Sequence, residues 1–553
     1  MTMQTPNAVV LPETSLWYNL EVTARRFPGK TAILCHDHAI SYRDLHARAT
    51  AIAGWLQHEA GVGKGDRVLL YMQNCPQFIM AYYAILRAGA VVVPVNPMNK
   101  ADECRHYVTD SGARVIVCAD DAFQSGLAAD MHIQHMLVTR YADELGANDS
   151  APAWMRAEHV LPEWAAGRAT RWSEALTNQY VPAPDDATVD DMAVMPYTSG
   201  TTGAPKGCIH THRSVMHNAV GNSVWAQCSA ESVVLSVLPL FHVSGMQHGM
   251  HTPIYCGTTI VMLPRWDREA AGRLISEHGV THWMGNPTMV IDLLASPNLE
   301  QFDLSSLRHI GGGGAAMPQA VAERLKQQFG LNYLEGYGLS ETMAATHNNP
   351  RHGPKQQCLG LPTFNTEARI VDPTTLKALP TGEVGEIIVS GPQVFKGYWG
   401  NPEATREALI ELDGKVFFRT GDLGTVDDEG YYFITDRLKR MINVSGFKVW
   451  PSEVENLLYR HPAVQDACII GSRDPYRGET VKAIVVLKAD ARQTTQQEII
   501  DWARQNMAAY KYPRVVEFVD ALPRSSTGKV MWRWLQEIEN SRDTSAAMSP
   551  PAV

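Results

Sequence analysis

Apolar residues along this 553-residue chain fall into two alternating rhythms. Short unbroken apolar runs at residues 32–34, 68–71 and 91–95 have the length and β-branched content of buried strands. Between them, residues 45–56 and 78–88 repeat apolar side chains at helical spacing. The same rhythm returns with residues 233–237, 259–262 and 270–278. Alternation of this kind predicts a layered α/β architecture. Residues 148–190 are rich in Ala, Pro and charge and predict a loosely structured connection. Residues 385–389 and 430–435 change the pattern to short strands with Gly-rich turns, which predicts a β-rich subdomain. Further on, Pro451-Ser452-Glu453 predicts a helix start with Ser452 as N-cap. Strands are predicted at 464–471 and 481–487 and a helix at 495–505, which makes a separate small α+β unit. The residues from Arg542 onward are small, polar and Pro-containing and are expected to be an unstructured tail. No internal repeat is evident.

Composition narrows the class. The length calls for two or more domains. An apolar fraction of 45% is that of an ordinary globular protein, and a net charge of −10 argues against a nucleic-acid binder. The longest apolar stretch, residues 81–95, is interrupted by Arg87, so no transmembrane segment is expected, and no secretory signal pattern opens the chain. The nine cysteines are scattered and contain no C-x-x-C, which predicts buried thiols in a reducing cytoplasm and no cysteine-based zinc site.

The densest chemistry lies in Tyr197-Thr198-Ser199-Gly200-Thr201-Thr202-Gly203-Ala204-Pro205-Lys206-Gly207, directly after the apolar run 192–195. Glycines let backbone N–H groups approach an anion, hydroxyls add donors, and a lysine adds a mobile cation. The loop reads as a phosphate cradle. The pattern G-x-x-x-x-G-K-[ST] fails, because Ala204 and Pro205 separate Gly203 from Lys206 and Gly207 follows it. A surface loop built of turn residues is the alternative reading.

Five more motifs follow in order. They are Leu238-Pro239-Leu240-Phe241-His242, Gly336-Tyr337-Gly338-Leu339-Ser340-Glu341-Thr342, Phe418-Arg419-Thr420-Gly421-Asp422, Asp436-Arg437-Leu438-Lys439, and Pro523-Arg524-Ser525-Ser526-Thr527-Gly528-Lys529. Together with the loop they resemble the adenylate-forming superfamily of acyl-CoA synthetases, luciferases and stand-alone adenylation domains, over roughly residues 190–530. The resemblance implies a large N-terminal α/β domain of several subdomains (1–436), a hinge (437–440), a small mobile α+β C-terminal lid (441–540) and a tail (541–553). It also implies an ATP-dependent carboxylic acid–CoA ligase. The acid becomes an acyl-adenylate with release of pyrophosphate, then a thioester with release of AMP. ATP and CoA are co-substrates and Mg2+ is the cofactor.

Residue by residue, the resemblance implies these roles. Thr198, Ser199, Gly200, Thr201, Thr202, Gly203 and Lys206 hold the triphosphate, and Lys206 otherwise reads as a surface lysine. Glu341 holds magnesium, with the Thr201 hydroxyl as second ligand. Ser340 stands where the family usually has Thr and keeps the hydroxyl. Gly313, Gly314, Ala315, Glu335, Gly336, Tyr337 and Gly338 line the adenine, although the run 311–314 by itself equally suits a flexible turn. Asp422 and Arg437 contact the ribose, with a structural salt bridge as the alternative. Lys439 is the hinge. Lys529 is the catalytic cation between carboxylate and α-phosphate. Arg265, Ser445, Gly446 and Lys448 contact CoA. His242 lies between acyl pocket and thiol tunnel, or is a packed core histidine. Asn443 stands where some relatives have lysine, so no lysine role carries over there.

The acyl pocket is expected from His242, Trp283, Met289, Gly312, Met343 and Ala344. Its apolar and small side chains favour a medium- or long-chain fatty acid. If His347, Asn348 and Asn349 face the pocket, a short, branched or hydroxylated acid becomes credible, and aryl acids remain open. The rival classes are an adenylation enzyme loading a carrier protein, a luciferase-like oxygenase and a non-catalytic nucleotide-binding regulator. A homodimer is only the default expectation.

Overall fold

The structure, a computed structural model, describes residues 8–124, 126–146, 151–178, 180–198, 205–444, 447–474, 477–524 and 530–547. For Lys439, Phe447, Lys448 and residues 543–547 it describes the backbone alone. The chain forms two compact units: Met1–Ala368 with Val389–Arg419, and Arg369–Ile388 with Thr420–Val553.

The first unit holds two large sheets. Among the described residues, one has seven strands, with Val91–Pro94, Arg67–Tyr71, Val115–Ala119, His135–Thr139 and Ala169–Arg171 in a parallel array. The other has nine, with a parallel centre of Tyr333–Leu339, His309–Gly313, His282–Met284, Val233–Ser236, Thr259–Met262 and Thr31–Cys35. Parallel strands buried on both faces explain the unbroken apolar runs. Alternation within a run sorts its side chains between two cores. Val68 and Leu70 join the core that contains Leu45, Ile52 and Phe78 of the helices Tyr42–His58 and Pro76–Arg87. Leu69 and Tyr71 join the core on the opposite face.

Residues 151–178 are more regular than their composition predicts. Ala169–Arg171 adds a seventh strand to the first sheet, and Trp172–Thr177 is a helix whose Trp172 is 1% exposed. Register with His135–Thr139 and burial of one tryptophan outweigh the weak local propensity.

The second unit pairs Val464–Asp474 with Gly478–Leu487 over ten residue pairs and adds Val515–Phe518 in parallel. Val454, Leu458, Ile469, Val485 and Ile499 form its core. Thr495, expected inside the helix, instead caps the helix Gln496–Asn506 and closes a capping box with Glu498. Ser452 is not the N-cap of Pro451–Leu458; Trp450 holds that position. The Ser452 hydroxyl instead donates to the Thr435 carbonyl, and its N–H donates to Asp436 Oδ2 at 2.8 Å. A tertiary acceptor has displaced the local cap. The helix Trp532–Ala547 runs into the expected tail, of which residues 548–553 lie outside the described residues. Among the described residues no helix is long and apolar enough to cross a membrane.

The first unit buries an unusual number of imidazoles. Burial pushes His210, His212 and His248 down to about 4, and His251, His309 and His347 down to about 3. Their folded pKa values lie below the unfolded value, so the unfolded chain binds more protons. The stability they contribute is complete above the unfolded value of 6.5 and is lost as pH falls toward 4 and then 3. Calorimetry should therefore give a lower Tm at about pH 5 than at about pH 7.5. An unchanged Tm would contradict the neutral buried state.

Candidate active site

The described residues on either side of the phosphate-cradle pattern are paired with each other. Tyr197–Thr198 pairs antiparallel with Lys206–Gly207, so that Lys206 lies opposite Thr198. The stem is anchored by the Tyr197 hydroxyl, which donates to Asp110 Oδ2 at 2.6 Å, and by His106 Nε2 on the Pro205 carbonyl at 2.7 Å. Gly207 is required by packing, since a Cβ there would lie 2.9 Å from the Met195 side chain. Ser199, Gly200, Thr201, Thr202 and Gly203 lie outside the described residues.

Lys206 Nζ sits 4.2 Å from the centroid of the Tyr398 ring, a cation–π contact. The Tyr398 hydroxyl donates to Glu341 Oε1 at 2.8 Å. Burial and the neighbouring Glu341 carboxylate push the Tyr398 phenol far up, so it stays protonated and donates. Glu341 is 7% exposed in the turn Ser340–Thr342. His210 Nε2 donates to the Ser340 carbonyl at 2.7 Å, and Phe395 N–H donates to the Glu341 carbonyl at 2.8 Å. The result is a cation, a phenol and a carboxylate in sequence, brought together from three distant segments. Tyr398 escaped the sequence reading because it lies in no recognised motif.

After the turn, Met343 and Ala344 both take left-handed backbone, with φ of 48° and 84°. Such conformations are costly for residues other than glycine and persist only where the surroundings impose them. Asn218 Nδ2 imposes them here by donating to the Thr342 and Met343 carbonyls at 3.0 and 2.7 Å. Gly338 accommodates the bend, since a Cβ would fall 1.6 Å from the Ala344 carbonyl oxygen. Met343 is fully buried in the core shared with the helices rather than in a cavity.

The glycine run is a strand, His309–Gly313, and not a flexible turn. A Cβ on Gly311 or Gly313 would lie 2.5 or 2.4 Å from the carbonyl oxygens of Leu334 and Gly336, and one on Gly312 would lie 2.1 Å from the Gly285 carbonyl oxygen. Gly314 turns the chain at a φ of 88°, and Ala315 after it is exposed.

Trp283, expected in the acyl pocket, is not among the residues lining the cavity beside the glycine strand. It is stacked on Trp266 at 5.7 Å and belongs to the core on the far face of its sheet, as does the partly buried Met289. Strand alternation is the reason: His282 and Met284 face a cavity, and Trp283 between them faces away. Asn348 and Asn349 line that cavity while His347, bonded to Thr346 Oγ1 at 2.9 Å, does not. The Glu335 carboxylate lines the cavity and accepts from the N–H groups of Met317 and Cys358 at 2.7 and 3.2 Å. Tyr337 packs its ring 5.8 Å from His347. His242 precedes the helix Val243–Met246 with its ring 4.8 Å from Phe241. The Arg265 guanidinium lies 3.8 Å over the Trp154 ring.

In the second unit Asp422 and Arg437 are cross-strand partners, with Arg437 Nε 2.9 Å from Asp422 Oδ1. Asp422 is 1% exposed. Ser445, Gly446 and Lys529 lie outside the described residues, and only the backbone of Lys439 and Lys448 is described.

The sequence profile of the AMP-binding enzymes matches residues 20–399, and that of the AMP-binding enzyme C-terminal domain matches residues 453–529. A long-chain-fatty-acid–CoA ligase of Bacillus subtilis (strain 168) is 37% identical over 97% of this chain and 96% of its own length. A feruloyl-CoA synthase of Amycolatopsis sp is 35% identical over 92% of this chain and 96% of its own. The crystal structure of ATP-bound MatB from Rhodopseudomonas palustris superposes with a TM-score of 0.81 at 29% identity, covering 95% of this chain and 99% of that one.

Proposed function

This chain belongs to the AMP-binding enzyme family and is an AMP-forming acid–CoA ligase, and from that premise we propose that its acid is a medium- or long-chain fatty acid. The 37% identity to a long-chain-fatty-acid–CoA ligase supports this choice. An aryl acid is the second reading, favoured by the 35% identity to a feruloyl-CoA synthase.

The observation that carries the adenylation chemistry is the series Lys206–Tyr398–Glu341. A carboxylate attacks the α-phosphate only when the repulsion between the two anions is offset. Lys206 and the hairpin hold the triphosphate. Glu341 is a single buried carboxylate, and no group of three His, Cys, Asp or Glu among the described residues could chelate a cation by itself. That donor set fits Mg2+, which takes one or two carboxylates and fills its shell with phosphate oxygens and water. Glu341 and the Thr201 hydroxyl would hold it, and when bound it supplies positive charge to the leaving pyrophosphate. Asp422, paired with Arg437, would accept from the ribose hydroxyls. Gly336, Tyr337 and Gly338 would pack against adenine, with Ser340 at the α-phosphate. Lys529 would neutralise charge between carboxylate and α-phosphate. The unit after Lys439 would act as the lid that removes Lys529 and brings Ser445, Gly446 and Lys448 to pantetheine.

Acid-dependent AMP formation with Mg-ATP, with and without CoA, tests the acid. Thioester from octanoate to palmitate supports the fatty-acid reading, and a response to cinnamic acids alone overturns it. Arg265, exposed on Trp154, is the proposed CoA-nucleotide contact. Arg265→Ala should raise the KM for CoA by about fivefold, roughly one surface charge contact, with adenylation unchanged. Equal loss of adenylation would remove that assignment.

A further inference from the structure

The cavity beside the glycine strand carries several polar side chains in a mostly apolar wall. It is a small cavity of about 40 Å³, with room for a few waters. His282 and His309 face it from adjacent parallel strands, with rings 5.7 Å apart. His248 faces it from the helical segment Gln247–His251, Asn222 from the helix His212–Trp225, and Asn348 from the strand Ala344–Asn348.

Two of these side chains are more than nine-tenths buried and carry an unspent polar atom. Asn222 is 5% exposed, and its Nδ2 has no hydrogen-bond partner among the described residues. His309 is 7% exposed, and the same is true of its Nδ1. His282, by contrast, is satisfied through Thr281 Oγ1 and the Ala226 carbonyl. A buried polar atom left unpaired costs on the order of 1–3 kcal/mol, and a wall intended for a plain alkyl end would not carry two.

The wall also lacks positive charge. Burial pushes His248 to about 4 and His309 to about 3, so both are neutral in ordinary conditions. Arg351, whose charge reaches His282 and His309, lies outside the wall and donates to Gln227 Oε1 and the Arg308 carbonyl. The one carboxyl group in the wall, Glu335, would repel an anion. The strand that carries Leu334 at the cavity runs on to Leu339, and the turn that holds Glu341 follows it. The cavity therefore addresses a part of the acid remote from its carboxylate.

Resting on the acid–CoA ligase reading above, we infer that the preferred acid carries a neutral hydrogen-bonding group, a hydroxyl or a ketone, near its distal end, received by Asn222 and His309. The site then discriminates against the acid that ends in a methyl group, because that acid buries the same side chains unpaired.

The test compares kcat/KM for decanoate, ω-hydroxydecanoate, a terminal methyl-ketone acid of equal length and decanedioate. The hydroxy or keto acid should exceed decanoate by about tenfold, and the diacid should fall below both. In Asn222→Leu and in His309→Phe the ratio of hydroxy acid to decanoate should collapse toward one while decanoate is still ligated. Because the ratio is taken within one enzyme preparation, partial misfolding cancels. If one variant fails to fold, the other carries the comparison, and pyrophosphate exchange with decanoate reports folding for each. Wild-type preference for decanoate, or a ratio unchanged in a folded variant, would overturn this inference alone. No AMP from any acid in the series would overturn the fatty-acid reading and this inference together.

Discussion

Lys529→Ala lowers acyl-adenylate formation by about 10²–10³ while thioester formation from supplied acyl-adenylate stays within a few-fold of the parent. The reasoning is electrostatic. In the first half-reaction a carboxylate anion meets a phosphate anion, and a lysine between them stabilises charge that shifts from one to the other. In the second half-reaction the acyl-adenylate is already formed, and the thiolate needs a path to the carbonyl rather than that cation. The position lies outside the described residues, so the assignment rests on the motif Ser525-Ser526-Thr527-Gly528-Lys529. Pyrophosphate exchange measures the first step, and CoA thioester release from synthetic acyl-adenylate measures the second. Equal loss in both would remove Lys529 from the chemistry of the first step and assign it to general folding or closure.

Glu341→Gln is expected to reduce adenylation by a similar 10²–10³. Here the tertiary structure separates charge from packing. Tyr398 donates to Glu341 Oε1, and a glutamine carbonyl oxygen at that position can still accept the bond. The turn is also held by its backbone, through Phe395 N–H on the Glu341 carbonyl and His210 on the Ser340 carbonyl. The variant should therefore unfold near the parent's Tm while its dependence on magnesium concentration shifts upward. Tyr398→Phe removes one hydrogen bond and keeps the ring under Lys206, so a loss of only about tenfold is expected. Glu341→Gln that retained adenylation within about threefold of the parent would exclude this carboxylate as the cation ligand.

Parts of this architecture are legible residue by residue. Buried strands such as Arg67–Tyr71 and Thr259–Met262 show as mainly apolar runs because parallel strands are covered on both faces. The helix Gln496–Asn506 shows because its cap, Thr495, is satisfied by its own neighbour Glu498. Ser452 has the same local signature, yet its hydroxyl goes to Thr435, and no local rule could reveal that acceptor. Trp283 fails for a related reason. Its neighbour His282 looks less suited to an acyl chain, but a shift of one residue along a strand reverses the face, and the face depends on how the strand docks. Ala169–Arg171 is too short and too polar to be recognised before its partner His135–Thr139 is known.

What the sequence determined by itself is the reaction class. The segments at Lys206, Glu341, Asp422 and Lys529 are contiguous strings that resemble the adenylate-forming superfamily in its own order, so that order along the chain suffices. What only the tertiary structure decided is which side chains share a space. Tyr398 meets Glu341 across 57 residues of chain, and Asn222 and His309 face one cavity from a helix and a strand. Those encounters are selected by burial and by strand register, which are sums over many remote contacts, and no short stretch of sequence holds them.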